Sequence, residues 1–241
     1  MTQAPFVPHR SGHSVAHVLC ALGVAAAVPL HLVLTLRLVA GLDAAAGLPF
    51  LAGLALGALA ADLFTGLVHW GCDTWGSART PLIGPTLIHS FREHHVHPEA
   101  MREHDWVFVN REPAIAATVA LAALLTPAGA GAIAGHPLLQ GFLCAFIGLG
   151  AGANQLHAWA HAERAPGVVR WLQRRRLVLS PNAHARHHHA PNLDAYCISS
   201  GWLNPPLDAI GFWRGLERAI QAVTGVAPRS GEAGATPRPH G

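Results

Sequence analysis

The sequence predicts an all-α integral membrane protein in which four transmembrane helices carry a polar helical cap on one face. Three observations lead there. Half of the 241 residues are apolar and only 12% are charged, against roughly 25% in an ordinary soluble domain, and mean hydropathy is +0.31. Four segments stay apolar for about 20 residues or more, the length that crosses a bilayer as a helix. The sixteen basic residues, all arginine, are missing from two connections between those segments and crowd into the rest of the polar sequence.

Residues 1–14 carry Pro5, Pro8 and Arg10 and read as a disordered lead. Residues 15–42 form the first span, since their apolar run exceeds the roughly 7 to 15 residues of a signal-peptide core. His31 is expected to pack against a neighbouring helix, and Arg37 to snorkel toward the surface. The second span, 50–71, carries Gly53 and Gly57 at the spacing that lets helices approach closely. Asp62 and His69 lie on it and Asp73 follows four residues later; ionisable groups on a lipid-buried helix by default face a site. Residues 72–112 are polar. The third span, 113–133, is interrupted at Thr126-Pro127. The fourth, 137–159, has Gly148 and Gly152 as packing positions and ends in Asn154, His157 and His161, at i, i+3 and i+7 on one helix face. Residues 162–224 complete the cap, so that 15–224 is one domain. Within it Leu207, Ile210, Trp213, Leu216, Ile220 and Val223 follow helical spacing with Arg214, Glu217 and Arg218 turned away, an amphipathic helix expected along the membrane interface. Residues 225–241 are rich in Pro, Gly, Ala and Ser and read as a disordered tail. Cys20, Cys72, Cys144 and Cys197 stand singly and read as small core residues.

The connections 41–49 and 127–136 hold no arginine, 72–112 holds four, and the residues after His161 hold ten. The positive-inside rule therefore puts both termini and the long middle segment in the cytoplasm, as expected for a bacterial inner membrane. His69, the 89–104 cluster, His157, His161 and the run His184 to His188 then share the cytoplasmic face. In Ser180-Pro-Asn-Ala-His184-Ala-Arg-His187-His188-His189, helical spacing sets His184 one turn before both His187 and His188. Imidazole nitrogen suits iron, zinc or copper. So many histidines exceed the three or four ligands of one zinc, and there is no HExxH pairing. Two ions is the natural count, so the cap is expected to hold a histidine-rich di-metal site. A soluble di-iron bundle would instead show Glu-x-x-His motifs. No basic stripe with interleaved aromatics points to nucleic acid. A non-enzyme alternative is a His-rich membrane metal or haem carrier, although a transporter needs ionisable groups through the middle of its spans, and here they crowd at one face.

Asp62-Leu-Phe-Thr-Gly-Leu-Val-His69-Trp-Gly-Cys-Asp73, Phe91-Arg-Glu-His94-His95 with Pro98 and His104-Asp105, Asn154-Gln-Leu-His157-Ala-Trp-Ala-His161, His184-Ala-Arg-His187-His188 and Tyr196-Cys-Ile-Ser-Ser-Gly-Trp-Leu-Asn204 closely resemble the plasmanylethanolamine desaturase family of lipid desaturases, in order and spacing, from about residue 50 to 220. The resemblance implies an oxidoreductase holding two iron ions and consuming O2, with electrons from a separate redox protein. Its substrate would be an ether phospholipid whose 1-O-alkyl chain becomes the vinyl ether of a plasmalogen. An acyl-lipid desaturase or a hydroxylase on the same scaffold is the alternative. Carried over, the family's motifs name His69, His94, His95, His104, His157, His161, His184, His187 and His188 as metal ligands. Asp62 and Asp73 are candidates to orient imidazoles, joined by Asn154 and Asn192 around the site. Asn192 stands where the family has histidine and His97 where it has aspartate. A dry slot between spans two and four is expected to hold the lipid chain, and Arg92, Arg186 or Arg214 its phosphate.

Overall fold

The computed structural model describes residues 15–98, 100–189 and 191–229; the expected disordered lead, 1–14, and residues 230–241 of the expected tail lie outside them. All regular structure among the described residues is helical. Four helices are long and apolar enough to cross a membrane: α1 (Val15–Ala40), α2 (Ala44–Thr74), α5 (Trp106–Leu125) and α7 (Pro137–Ala160). Between them lie a π-helical turn (Gly84–Ile88), α3 (His89–Val96), α4 (Ala100–Glu103) and α6 (Pro127–Ile133), and the cap continues with α8 (Gly167–Arg174), α9 (Pro181–Ala185), α10 (Asn204–Ala209) and α11 (Phe212–Thr224). On α1, Leu19, Leu22, Val28 and Leu36 are each more than half exposed, a surface suited to lipid. The chain is an integral membrane protein.

Helix ends follow from capping residues. Asp43 accepts from Ala46 N at 2.7 Å and starts α2 six residues ahead of the expected 50. Asp105 accepts from Val107 N at 2.7 Å, so α5 begins at Trp106 and carries Pro113 inside it, where a start at 113 is expected from the apolar run alone. Thr126 accepts from Gly129 N at 3.1 Å, which ends one helix and opens the next; the third apolar segment is therefore two helices.

Spans α2 and α7 touch backbone to backbone. A Cβ at Gly53 would lie 2.0 Å from Leu138 O, one at Gly57 2.2 Å from Phe142 O, and one at Gly141 2.1 Å from Phe50 O. The Gly53/Gly57 spacing predicts this approach; Gly141 supplies its partner. Gly148 instead makes room for His31, whose Nε2 would be 2.8 Å from a Cβ there, while Gly152 faces open space. No slot for a lipid chain separates α2 from α7 along these contacts. Thr118 Oγ1 donates to Gly23 O at 2.7 Å and ties α5 to α1.

The cap closes on the ends of α2 and α7. Arg92 of α3 donates to Cys72 O, Trp75 O and Gly76 O at 2.9, 2.7 and 3.1 Å, satisfying carbonyls that a helix end leaves open and fixing α3 across the end of α2. Helix α11 departs from expectation. Trp213, Leu216 and Ile220 pack on Trp70, Tyr196 and Cys197, so the middle of its apolar face meets the chain's own core, while Ile210 and Val223 are exposed. Glu217 is buried there, accepting from Trp70 Nε1 at 3.4 Å and Arg214 at 2.8 Å.

A test follows from the glycine contacts. Gly57→Val is expected to lose about 1–3 kcal/mol or more through overpacking, read as a lowered thermal midpoint in detergent, whereas Gly47→Val, with open space at its Cβ, should leave the midpoint unchanged. Equal midpoints would mean that the two spans do not pack this closely.

Candidate metal centre

Eight of the nine histidines expected as ligands converge. Five, His94, His157, His161, His184 and His188, have ring nitrogens within 4.8 Å of one another, and a second set, His69, His94, His95 and His187, meets the same limit. His94 belongs to both. His69 comes from α2, His94 and His95 from α3, His157 and His161 from the end of α7, and His184 from α9, with His187 and His188 just after it. His69, His94, His157, His184 and His187 are no more than 1% exposed.

In the first set Nε2 of His157 lies 2.8 Å from that of His184, His184 2.9 Å from His161, and His161 3.3 Å from His157; His188 stands 3.0 Å from His184. A neutral ring nitrogen either carries a proton or offers a lone pair. Three atoms in mutual contact cannot alternate two states, so at least one edge of this triangle is repulsive. Protonating the rings is no remedy: burial first, then neighbouring imidazoles, hold His94 and His184 well below the ordinary histidine value, and the same two causes push His188 down to about 2. Ring nitrogens bound at about 2.1 Å to one transition ion stand roughly 3 Å apart, the separation found here.

The second set makes the same demand by another route. Carbonyls only accept, so His69 Nδ1 donates to Tyr196 O at 3.1 Å and His187 Nδ1 to Asp194 O at 2.7 Å. In its neutral form each ring then turns an Nε2 lone pair inward. Those lone pairs meet Asp73 Oδ2 at 3.3 and 3.4 Å, acceptor against acceptor, with His95 Nε2 3.0 Å from the same oxygen and 3.2 Å from His187 Nε2. Both nitrogens of His94 are buried without a partner. A cation seated in each set resolves these contacts, and imidazole with carboxylate is a donor set for iron or zinc.

The loop that supplies the carbonyls is held in place deliberately. Asn192 and Ala195 adopt φ of 59° and 56°, a region costly for residues with a Cβ. Asn192 Nδ2 donates to His187 O at 2.7 Å, Tyr196 OH donates to Asn192 O at 3.0 Å, and Ala195 N donates to Asp208 Oδ1 at 3.2 Å. Beyond it, the fully buried Asp62 accepts from Ser200 N, Gly201 N and Leu203 N at 2.8, 2.8 and 3.0 Å.

Several residues therefore act differently from expectation. Asp62 binds backbone amides rather than an imidazole, because a loop 138 residues later fills the space beside it. Asp73 sits at the centre of the second set, facing the inward nitrogens instead of orienting rings from behind. His104 joins neither set, and its Nε2 lies 3.1 Å from Glu93 Oε2. Asn154 Nδ2 donates to Val109 O at 2.8 Å, joining α7 to α5, and Asn192 serves the turn. The candidate phosphate binders are engaged within the chain: Arg92 on the carbonyls of α2, Arg186 on Asp194 and Asp208 at 3.3 and 3.1 Å, and Arg214 on Glu217. Asp194 O and Tyr196 O are site atoms that sequence could not name, since any residue supplies a carbonyl.

An all-helical membrane protein with a buried polyhistidine centre at one end of its spans is the class that fold and site define. Comparison with known proteins gives the family. The profile of a "Lipid desaturase domain" matches residues 58–231. The chain is 42% identical over 181 residues to "Plasmanylethanolamine desaturase" of Myxococcus xanthus, covering 75% of this chain and 63% of that protein. It is 40% identical over 181 residues to "Plasmanylethanolamine desaturase 1" of Mus musculus, covering 72% and 66%. It is 35% identical over 176 residues to "Fatty acid desaturase 4, chloroplastic" of Arabidopsis thaliana, covering 72% and 52%. The chain belongs to this lipid desaturase family. The aligned segments span less than two thirds of the lengths of these relatives. No solved structure matches.

Asp62→Ala strands three backbone amides, one buried and two partly buried, and is expected to cost about 3 kcal/mol, with Asp62→Asn recovering part of it. Thermal unfolding in detergent reads this directly, and a wild-type midpoint in Asp62→Ala would show that the 196–204 loop does not depend on the carboxylate.

Proposed function

We propose that this protein is a membrane lipid desaturase that converts the 1-O-alkyl chain of plasmanylethanolamine into the vinyl ether of a plasmalogen. The reaction is R–CH2–CH2–O–R′ + O2 + 2 e⁻ + 2 H⁺ → R–CH=CH–O–R′ + 2 H2O, with the electrons delivered by a separate donor protein. The observation that carries the reading is the pair of histidine sets whose ring nitrogens crowd together with too few protons to satisfy every contact, as at a cation site. The names of the Myxococcus and mouse relatives supply the substrate class. The name of the Arabidopsis relative favours a second reading, an acyl-lipid desaturase on the same centre.

His157, His161, His184 and His188 would hold one iron and His69, His95, His187 and Asp73 the other, with His94 in reach of either set to complete one of them. Bound iron would supply the activation of O2 and the oxidation of an unreactive C–H bond. The chain's own part is to keep these imidazoles oriented and dry. Tyr196 O and Asp194 O set the rings of His69 and His187. Phe91 and Tyr196 pack on His69 with ring centres 4.8 and 5.6 Å away and exclude water. Burial raises the Tyr196 phenol above its ordinary value, and its hydroxyl is committed to Asn192 O, so it remains a neutral wall. Between Phe91, Met101, Val109, His94 and His157 lies a void of about 20 Å³, room for about one water-sized molecule. Residues 15–224 would act as one unit in a bacterial inner membrane, with the histidines on its cytoplasmic face, a side that the arginine distribution supports.

Expression in a host without vinyl ethers, followed by lipid mass spectrometry and mild acid treatment, tests the reading. Vinyl ethers release an aldehyde in acid; an ordinary alkene does not. The wild type should yield the acid-labile product and carry about two irons per chain, and His187→Ala should lower product by about 100-fold or more. Undiminished product in His187→Ala would remove the ligand assignment. An acid-stable alkene in the acyl chain would favour the second reading.

A further inference from the structure

With α2 and α7 in backbone contact, a lipid chain needs another place. We propose that it lies in the cleft among α1, α5 and α7, as a single extended hydrocarbon chain. This rests on the desaturase reading and adds the substrate's seat. The cleft has a volume of about 840 Å³ and is walled mainly by apolar side chains of the spanning helices, within the range of ligand sites generally. On α1 its wall runs from Val24 to Thr35 and on α7 from Cys144 to Trp159, about 16 and 22 Å at the rise of a helix. One leaflet of a bilayer is about 15 Å of hydrocarbon. The cleft therefore has the length and direction of one lipid tail. Val28 and Leu32 at its edge are 71% and 56% exposed, so it opens sideways into the membrane.

Both ends carry polar groups. Away from the histidines, Thr35 Oγ1 lies 3.3 Å from Cys144 Sγ, which is 4.0 Å from His31 Nε2. Toward them, Asn110 Nδ2 donates to Gln155 Oε1 at 3.1 Å and bridges α5 to α7. Trp106, Gln155 and Trp159 are shared with a neighbouring hollow of about 250 Å³, and Met101 and Val109 of that hollow also wall the void beside His94 and His157. A vinyl ether forms at the two carbons next to the ether oxygen. Those carbons belong at the polar end, toward the histidines, and the remaining tail runs down the cleft toward Cys144.

The probe is an ether phosphatidylethanolamine with a diazirine at the end of its 1-O-alkyl chain, photolysed with the full-length protein in nanodiscs. Labelling is expected on the peptides holding Leu32 to Thr35 and Cys144 to Gly148. Gly152→Leu, whose Cβ enters open space inside the cleft, should reduce that labelling at least tenfold with metal content unchanged. Gly150→Leu, also open at its Cβ but outside the cleft wall, should stay within twofold of wild type. Labelling centred on α2 or the cap, or Gly152→Leu labelled like wild type, overturns the proposal. The wild-type labelling stands without any variant. A protein that labels as expected but forms no vinyl ether would keep the cleft and lose the desaturase reading; one that forms vinyl ether while labelling elsewhere would do the reverse.

Discussion

At the middle of this protein, acceptor faces acceptor. The lone pairs of His69 and His187 turn toward the Asp73 carboxylate, and three Nε2 atoms from α7 and α9 stand in mutual contact where no arrangement of protons satisfies every pair. In water such contacts would relax by turning rings outward. Here five of the rings are sealed from solvent, and in a low-dielectric interior unmatched polar contacts are costly. The arrangement is stable as part of a cation site and strained otherwise, so the surrounding helices have to hold it.

They do so through contacts of a different kind at each level. The spacing of His69 and His157 is set by α2 and α7, whose backbones meet at Gly53, Gly57 and Gly141. Arg92 fixes α3 by using the open carbonyls at the end of α2, which brings His94 and His95 over His69. The segment from His184 to Tyr196 closes the other side and supplies both imidazoles and the carbonyls that aim them. That double duty explains its unfavourable φ angles at Asn192 and Ala195. Asp62 and Asp208 hold the loop through backbone amides, so two carboxylates outside the histidine sets act on them through geometry.

The parts legible in the sequence are those written in local periodicity. Four apolar runs give four spans, Gly53 and Gly57 give their close approach, and the i, i+4 spacings of His157 with His161 and of His184 with His188 put each pair in one set, while His187 at i+3 falls in the other. What escapes is decided by segments far apart in the chain. Asp62 and Asp73 look alike as carboxylates near His69, yet one meets a loop 138 residues away and the other the centre itself. Glu217 reads as the solvent face of an amphipathic helix, but Trp70 and Arg214 enclose it. A slot between spans two and four conflicts with the glycines on span two: residues that bring two backbones together leave no room between them for a lipid.

This last point separates chemistry from selection. The histidine sets lie between residues 69 and 188, inside the segment that matches the lipid desaturase profile from residue 58 onward. One wall of the cleft, Val24 to Thr35 on α1, precedes that segment. Substitutions on that wall change the shape of the cleft without touching a ring nitrogen, because α1 packs on α5 and α7 and contributes no histidine to either set. On the proposed desaturase reading, a scaffold so divided would keep one oxidation while the lipid it receives varies, since the crowded ring nitrogens fix the histidines and the α1 wall gives no atom to either set.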